Sequence, residues 1–175
     1  GRDNLGEGFG KLTAGYGSRR IPSEVGDKIG PEFTFGIYAQ KELKEPILII
    51  KTAWGGKSLH TDFRPPSAGP YRFSEQELEN FKKRGKKLSE IKKEKAGQTG
   101  RFYRLMIEHV RKVLANIKRV YPQYDPQQSY EVSGFAWFQV WNDMVASGTY
   151  PNRGQASGYD AYTEYLAHFI RDVRK

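Results

Sequence analysis

The apolar positions of the chain alternate between two kinds of pattern. Pro46-Ile47-Leu48-Ile49-Ile50 is a continuous apolar run with β-branched residues, and Tyr130-Glu131-Val132-Ser133-Gly134-Phe135-Ala136-Trp137-Phe138 is a second run dense in β-formers. Runs of this length predict strands covered on both faces, as in a parallel sheet. Between them the period changes. Leu105, Met106, His109, Val110, Val113, Leu114, Ile117 and Val120 follow helical spacing, and Pro122 closes that helix. Upstream, Ser74-Glu75-Gln76-Glu77 is a capping-box pattern that opens a charged helix toward residue 95, and Gly97 to Gly100 breaks it. Two more helices are expected. One opens at Ile29-Gly30-Pro31-Glu32, where Pro suits a first helical position. The other spans Ala161 to Arg174, with Tyr162, Tyr165, Leu166, Phe169 and Ile170 as its stripe. Residues 1–30 are glycine-rich and read as loop. The order predicts one α/β domain over 1–175, with residues 74–120 inserted as a helical hairpin.

Composition changes this picture little. The 175 residues allow one sizeable core. Aromatics reach 14% against 37% hydrophobic residues, which fits a globular chain or a surface that meets sugars. The net charge is +9, with much of the excess in Lys82-Lys83-Arg84-Gly85-Lys86-Lys87 and Lys92-Lys93-Glu94-Lys95. Such a stretch reads first as a solvated helix face and second as a patch for an acidic polymer. No helix-turn-helix, zinc-finger or RNA-recognition pattern accompanies it, so nucleic acid is not the expected partner. Without cysteine, disulfides and thiolate chemistry are excluded. No apolar stretch is long enough to span a membrane. The first residues carry neither an initiator Met nor a signal-peptide core, and the chain reads as an excerpt or mature portion of something longer.

Unusual polar groups stand at the two predicted strand ends: Trp54-Gly55-Gly56 and Gln139-Val140-Trp141-Asn142-Asp143. In open α/β sheets, ligands sit beyond the carboxyl ends of the strands. If the two ends share one edge, the Gly56 N–H and the Gln139 amide converge on one point, as an oxyanion hole requires. A plain turn at Gly55-Gly56 and a backbone-satisfied Gln139 are the structural alternatives. Trp54, Trp137 and Trp141 are core by default, with Trp54 or Trp141 as the alternative sugar-stacking wall.

These blocks resemble a known family. Ile29-Gly30-Pro31-Glu32 with Phe35-Gly36, then Ile50-Lys51-Thr52-Ala53-Trp54-Gly55-Gly56-Lys57-Ser58-Leu59, then Gly134-Phe135-Ala136-Trp137-Phe138-Gln139 with Trp141-Asn142-Asp143, are similar to successive blocks of the sialate O-acetylesterase-like branch of the SGNH hydrolases. The resemblance covers residues 15–174. It implies a flavodoxin-like αβα sandwich and removal of O-acetyl groups from sialic acids or xylan by serine-dependent acyl transfer. By resemblance, Gly56 and Gln139 supply the oxyanion donors, and Trp54, Trp141, Asn142 and Asp143 flank the acetylated carbohydrate. No cofactor or metal is implied. Location outside the cytoplasm, secreted or periplasmic, follows by analogy. The family carries Gly after its glutamine; here Val140 disfavours positive φ at that site.

Two family blocks are missing. No Gly-Gln-Ser-Asn-like run supplies a nucleophile, and no Asp-x-x-His run supplies a base. Of the histidines, His109 lies on an apolar helical face, His168 falls within the last helix, and His60 follows the Gly-Gly turn, where it reaches a cleft in one reading. Ser58 lacks the closing Gly of a nucleophile elbow. The expectation is therefore a partial carbohydrate esterase. The alternative is an inactive carbohydrate-binding domain of the same fold.

Overall fold

A computed structural model of the protein describes residues 8–14 and 29–175. Most of the glycine-rich segment expected as loop lies outside the described residues. Among those described, the regular elements are helices: α1 (Pro31–Leu43), α2 (Glu75–Lys83), α3 (Leu88–Gln98), α4 (Arg101–Ala115), α5 (Trp141–Val145) and α6 (Asp160–Val173), with 3-10 turns at Pro66–Ala68 and Ile117–Arg119. Among the described residues, no helix is long and apolar enough to cross a membrane.

The parallel sheet expected from the two apolar runs is not there. Residues 46–50 and 130–138 form neither helix nor ladder. Leu48, Val132, Phe135 and Phe138 are 44%, 68%, 52% and 80% exposed, where a covered strand would bury them. An apolar run shows that a segment favours an extended, packed state. A strand also needs a partner for each backbone N–H and C=O, and composition does not supply one. The flavodoxin-like αβα sandwich is thus corrected to an arrangement that is helical among the described residues.

Contacts group the chain into two units. The first comprises Gly1–Trp54 and Val110–Tyr130. In it, α1 starts at Pro31 as expected and ends on Lys44, whose left-handed backbone (φ 57°) lets its N–H reach the Gln40 carbonyl. Gly36 is buried because Leu12 and Ile49 close over it. Glu32 pairs with Lys51. Val113 and Ile117, both on the predicted stripe, are buried.

The second unit comprises Gly55–His109 and Glu131–Lys175. Its core is aromatic. Phe169 of α6 meets Trp137 at 4.3 Å and Tyr103 at 5.7 Å between ring centroids, and Phe63 meets Trp137 edge-on at 5.1 Å. Leu59, Phe102 and Met106 fill the remainder. The Ser74–Glu77 capping box forms as predicted, each side chain accepting from the other's backbone N–H. The single helix expected from it is two. Gly85 takes φ 64° and separates α2 from α3.

Gly100 joins α3 to α4 at φ 67°, with its N–H on the Thr61 carbonyl at 2.8 Å. A Cβ there would stand 2.7 Å from the Arg64 carbonyl oxygen, a backbone atom that cannot swing aside. Gly100→Ala is expected to lower unfolding stability by about 2 kcal/mol or more. Gly97→Ala, in open space within α3, is expected to be neutral or to stabilise by up to about 1 kcal/mol. Chemical denaturation of both variants checks the contrast.

Candidate functional site

The site is organised by a carboxylate, Asp143, expected from the sequence to flank a ligand and found instead as an internal anchor. Asp143, in the first turn of α5, is fully buried. A buried carboxylate needs donors for its lone pairs. Its Oδ2 accepts from the Leu59 N–H at 2.7 Å and the Gln139 side-chain amide at 2.7 Å. Its Oδ1 accepts from the His60 N–H at 3.0 Å and the Tyr150 hydroxyl at 3.1 Å. Burial, followed by the charge of Asp143, pushes the Tyr150 phenol well above its ordinary pKa, so it stays a donor.

This clamp joins two segments more than eighty residues apart in sequence. Gln139 reinforces it: its Nε2 also donates to the Lys57 carbonyl at 2.9 Å, while the Tyr162 hydroxyl holds the Gln139 carbonyl at 2.9 Å. Both Nε2 hydrogens are thereby engaged. Its Oε1 is buried with no partner among the described residues.

The turn itself is closed from within. Asp62 accepts from the Ser58 N–H at 2.9 Å and the Ser58 hydroxyl at 3.1 Å, and the Thr61 N–H donates to the Ser58 Oγ at 3.1 Å. Just before it, Gly56 turns the chain with φ 74° and is exposed. A Cβ on Gly56 would lie 3.7 Å from Asn142 Nδ2. Gly56 and Asn142 are therefore neighbours, and neither the Gly56 N–H nor the Asn142 side chain has a hydrogen-bond partner among the described residues.

Of the predicted site residues, the structure brings together Gly56, Gln139, Asn142 and Asp143. Asp143 is the internal anchor, beneath the surface where a ligand would sit. Trp141 is 68% exposed one residue from Asn142. Trp54 is half-buried and belongs to the first unit. Val140 adopts a negative φ of −162°, so this position does not call for glycine.

His60 lies under the turn, its ring enclosed edge-on by Tyr71, Tyr150 and Tyr165 at 5.1, 5.9 and 5.3 Å. Its Nδ1 meets Thr61 Oγ1 at 3.1 Å. Burial, followed by the nearby Arg64 charge, lowers its pKa to about 4, against the partial opposition of Asp143. It is a neutral packing residue at pH 7. The half-buried Tyr71 phenol is shifted the other way, upward, by burial and then by its bond to Glu77 at 2.7 Å. Arg64 is 3% exposed and spends its guanidinium on the carbonyls of Gly69, His60 and Ala68 at 2.8, 3.1 and 3.1 Å, with Tyr165 beneath it at 4.2 Å.

A serine–histidine contact exists elsewhere in this unit. Ser67 Oγ and His168 Nδ1 are 2.8 Å apart, and Asp172 accepts from the Ser67 N–H at 2.9 Å. Asp172 holds the backbone of Ser67 and so does not orient His168, while the following N–H groups of Ala68 and Gly69 are spent on Pro65 and Pro66 carbonyls. The trio docks the 66–68 turn on α6 and lacks an oxyanion hole. No group of His, Asp and Glu suited to a metal occurs among the described residues.

Sequence reasoning missed Tyr150, Arg64 and the anchoring role of Asp143. The one usable signal was a carboxylate four residues after Gln139, in the first turn of the short helix that follows. Comparison with family models, with curated proteins and with solved structures returned no match.

Removing the carboxylate strands four donors. Asp143→Ala is expected to cost about 4 kcal/mol and Asp143→Asn about 2 kcal/mol in unfolding stability, read by urea titration. His60 gives a second test. Its folded pKa lies below the unfolded 6.5, so the unfolded chain binds the proton more tightly. Stability is full above pH 6.5 and falls as pH drops toward 4, by about 2 kcal/mol after discounting for partial exposure of the ring. In His60→Phe the loss across that window is expected to shrink; an unchanged slope would assign it to other groups.

Proposed function

We propose that this chain carries the charge-stabilising part of a carbohydrate O-acetylesterase. The observation that supports it most is the proximity of Gly56 to the Asn142 side chain. A backbone N–H and a side-chain amide, both without partners among the described residues, stand side by side on a turn that a buried carboxylate holds rigid. Neutral donors fixed before the reaction are what a tetrahedral acyl intermediate needs, because they require no reorganisation when the oxyanion forms. In this arrangement Gln139 serves by holding the Lys57 carbonyl and Asp143, and Asn142 takes the side-chain donor position that the family resemblance assigns to the glutamine. Trp141 offers an exposed aromatic face to a sugar ring.

The attacking group follows from acyl-transfer chemistry. A serine hydroxyl, its proton taken by a histidine, adds to the acetyl carbonyl; the sugar hydroxyl leaves with that proton, and water then releases acetate. Ser58 does not fit the role, since its Oγ is committed to Asp62 and Thr61. The reading therefore requires a serine and a histidine that the two blocks around Gly56 and Gln139 do not contain. That same commitment of Ser58 favours a second reading, a carbohydrate-binding domain with no nucleophile.

Acetate release from acetylated xylan oligosaccharides and from O-acetylated sialic acid, measured on the full-length protein, separates the two. Asn142→Ala is expected to lower turnover by about 10²–10³ with little change in stability. Gln139→Ala is expected to lower both together. Wild-type turnover in Asn142→Ala would sink the donor assignment. Binding of acetylated sugar with no acetate released would favour the second reading.

A further inference from the structure

The second unit also holds an open groove of about 770 Å³, away from the Gly56–Asn142 turn. It runs between the Arg64–Phe73 segment and helices α2, α3 and α4. Five of its lining side chains are cationic (Arg64, Arg72, Lys92, Lys95 and Arg104) and none is Asp or Glu. Arg64 is spent on carbonyls. The other four have no carboxylate partner among the described residues. Lys95 lies over the Tyr71 ring at 4.3 Å, and Arg104 gives one nitrogen to the Thr99 carbonyl at 3.0 Å. Arg72 and Lys92 are exposed. The nearby acid, Glu77, is occupied by Tyr71 and by its helix cap.

Like charges facing one confined space repel each other, and an anion placed among them relieves that repulsion. The volume falls within the usual range for small-ligand sites. The aromatic walls argue against bases. Lys95 covers a face of Tyr71, Tyr103 is buried against Phe169, and the half-buried Phe73 packs edge-to-face with Tyr71 and Phe81 at 4.9 and 6.1 Å, so the three rings give no row of open platforms on which successive bases stack. Pro66, Pro70 and Leu78 add apolar lining on which sugar C–H groups can pack, and arginine forks match planar carboxylates. The geometry points to a second binding site, for a short acidic saccharide whose carboxylates meet Arg72, Lys92, Lys95 and Arg104. The charge of the ligand is assigned from the groove; its saccharide nature rests on the glycan reading above.

Calorimetric titration with a galacturonate trisaccharide, a neutral galactose trisaccharide and a short oligothymidylate tests this. The galacturonate is expected to bind saturably and less tightly as salt rises, with no detectable heat from the neutral sugar. The double variant Arg72→Gln/Lys95→Gln is expected to weaken binding about tenfold or more. Lys82→Gln/Lys83→Gln removes equal charge outside the groove and is expected to bind as the parent does. Thermal melting monitors folding, and Lys92→Gln, on the exposed face of α3, provides a groove variant that leaves Tyr71 untouched. Absent galacturonate binding, equal binding of the neutral sugar, tighter binding of oligothymidylate, or groove variants that bind like the parent would each overturn the proposal. The probe bears no ester, so its failure leaves the acetate-release experiment intact, and failure of that experiment leaves the anion site standing.

Discussion

A carboxylate with no cation paired to it among the described residues holds the second unit together. Asp143 is buried without an ion-pair partner in its hydrogen-bond shell, and two backbone N–H groups, one amide and one phenol stabilise its charge. Dipoles replace the water that the charge gave up. Each of the four donors must then keep its place, since displacing any one exposes a charge in a dry interior. The Leu59–His60 turn, the residues around Gln139 and the chain at Tyr150 are fixed relative to one another for that reason. The position of Gly56 beside Asn142 is a result of this constraint, three residues up the chain on one side and one residue on the other.

Around the anchor, polar and aromatic groups divide the labour. The His60 ring stays neutral because Tyr71, Tyr150 and Tyr165 exclude water from it. Its backbone N–H meanwhile serves Asp143, and its carbonyl serves Arg64. One residue thus touches the carboxylate that shapes the Gly56 turn and the arginine that shapes the groove wall. Tyr71 lines that groove and packs on His60, so the two candidate ligand surfaces share a packed neighbour.

Helices were legible where local chemistry alone decides them. Pro31 at a first helical position, the Ser74–Glu77 box and the stripe on α4 all depend on residues within a few positions of each other. The break at Gly85 was also local, but a charged run masked it. Extended segments were misread because pairing is a property of partners, and Ile47–Ile50 or Val132–Phe138 carry no record of one. For the site, the approach of the Gly56 and Gln139 regions was expected from family-like blocks and from a shared sheet edge that the described residues do not contain. The way they converge was not. Whether Gln139 points its amide at a ligand or at Asp143 depends on a buried acceptor, and burial of one aspartate among twenty acidic residues leaves no mark on the sequence.

The three carbonyl bonds of Arg64 have a consequence for recognition. They draw His60, Ala68 and Gly69 onto one rigid, planar guanidinium, which rests on Tyr165. The segment that forms one bank of the cationic groove is thus ordered before any ligand arrives. A guest arriving there loses its own freedom but need not freeze the wall, so preorganisation lets a modest set of contacts give selective binding.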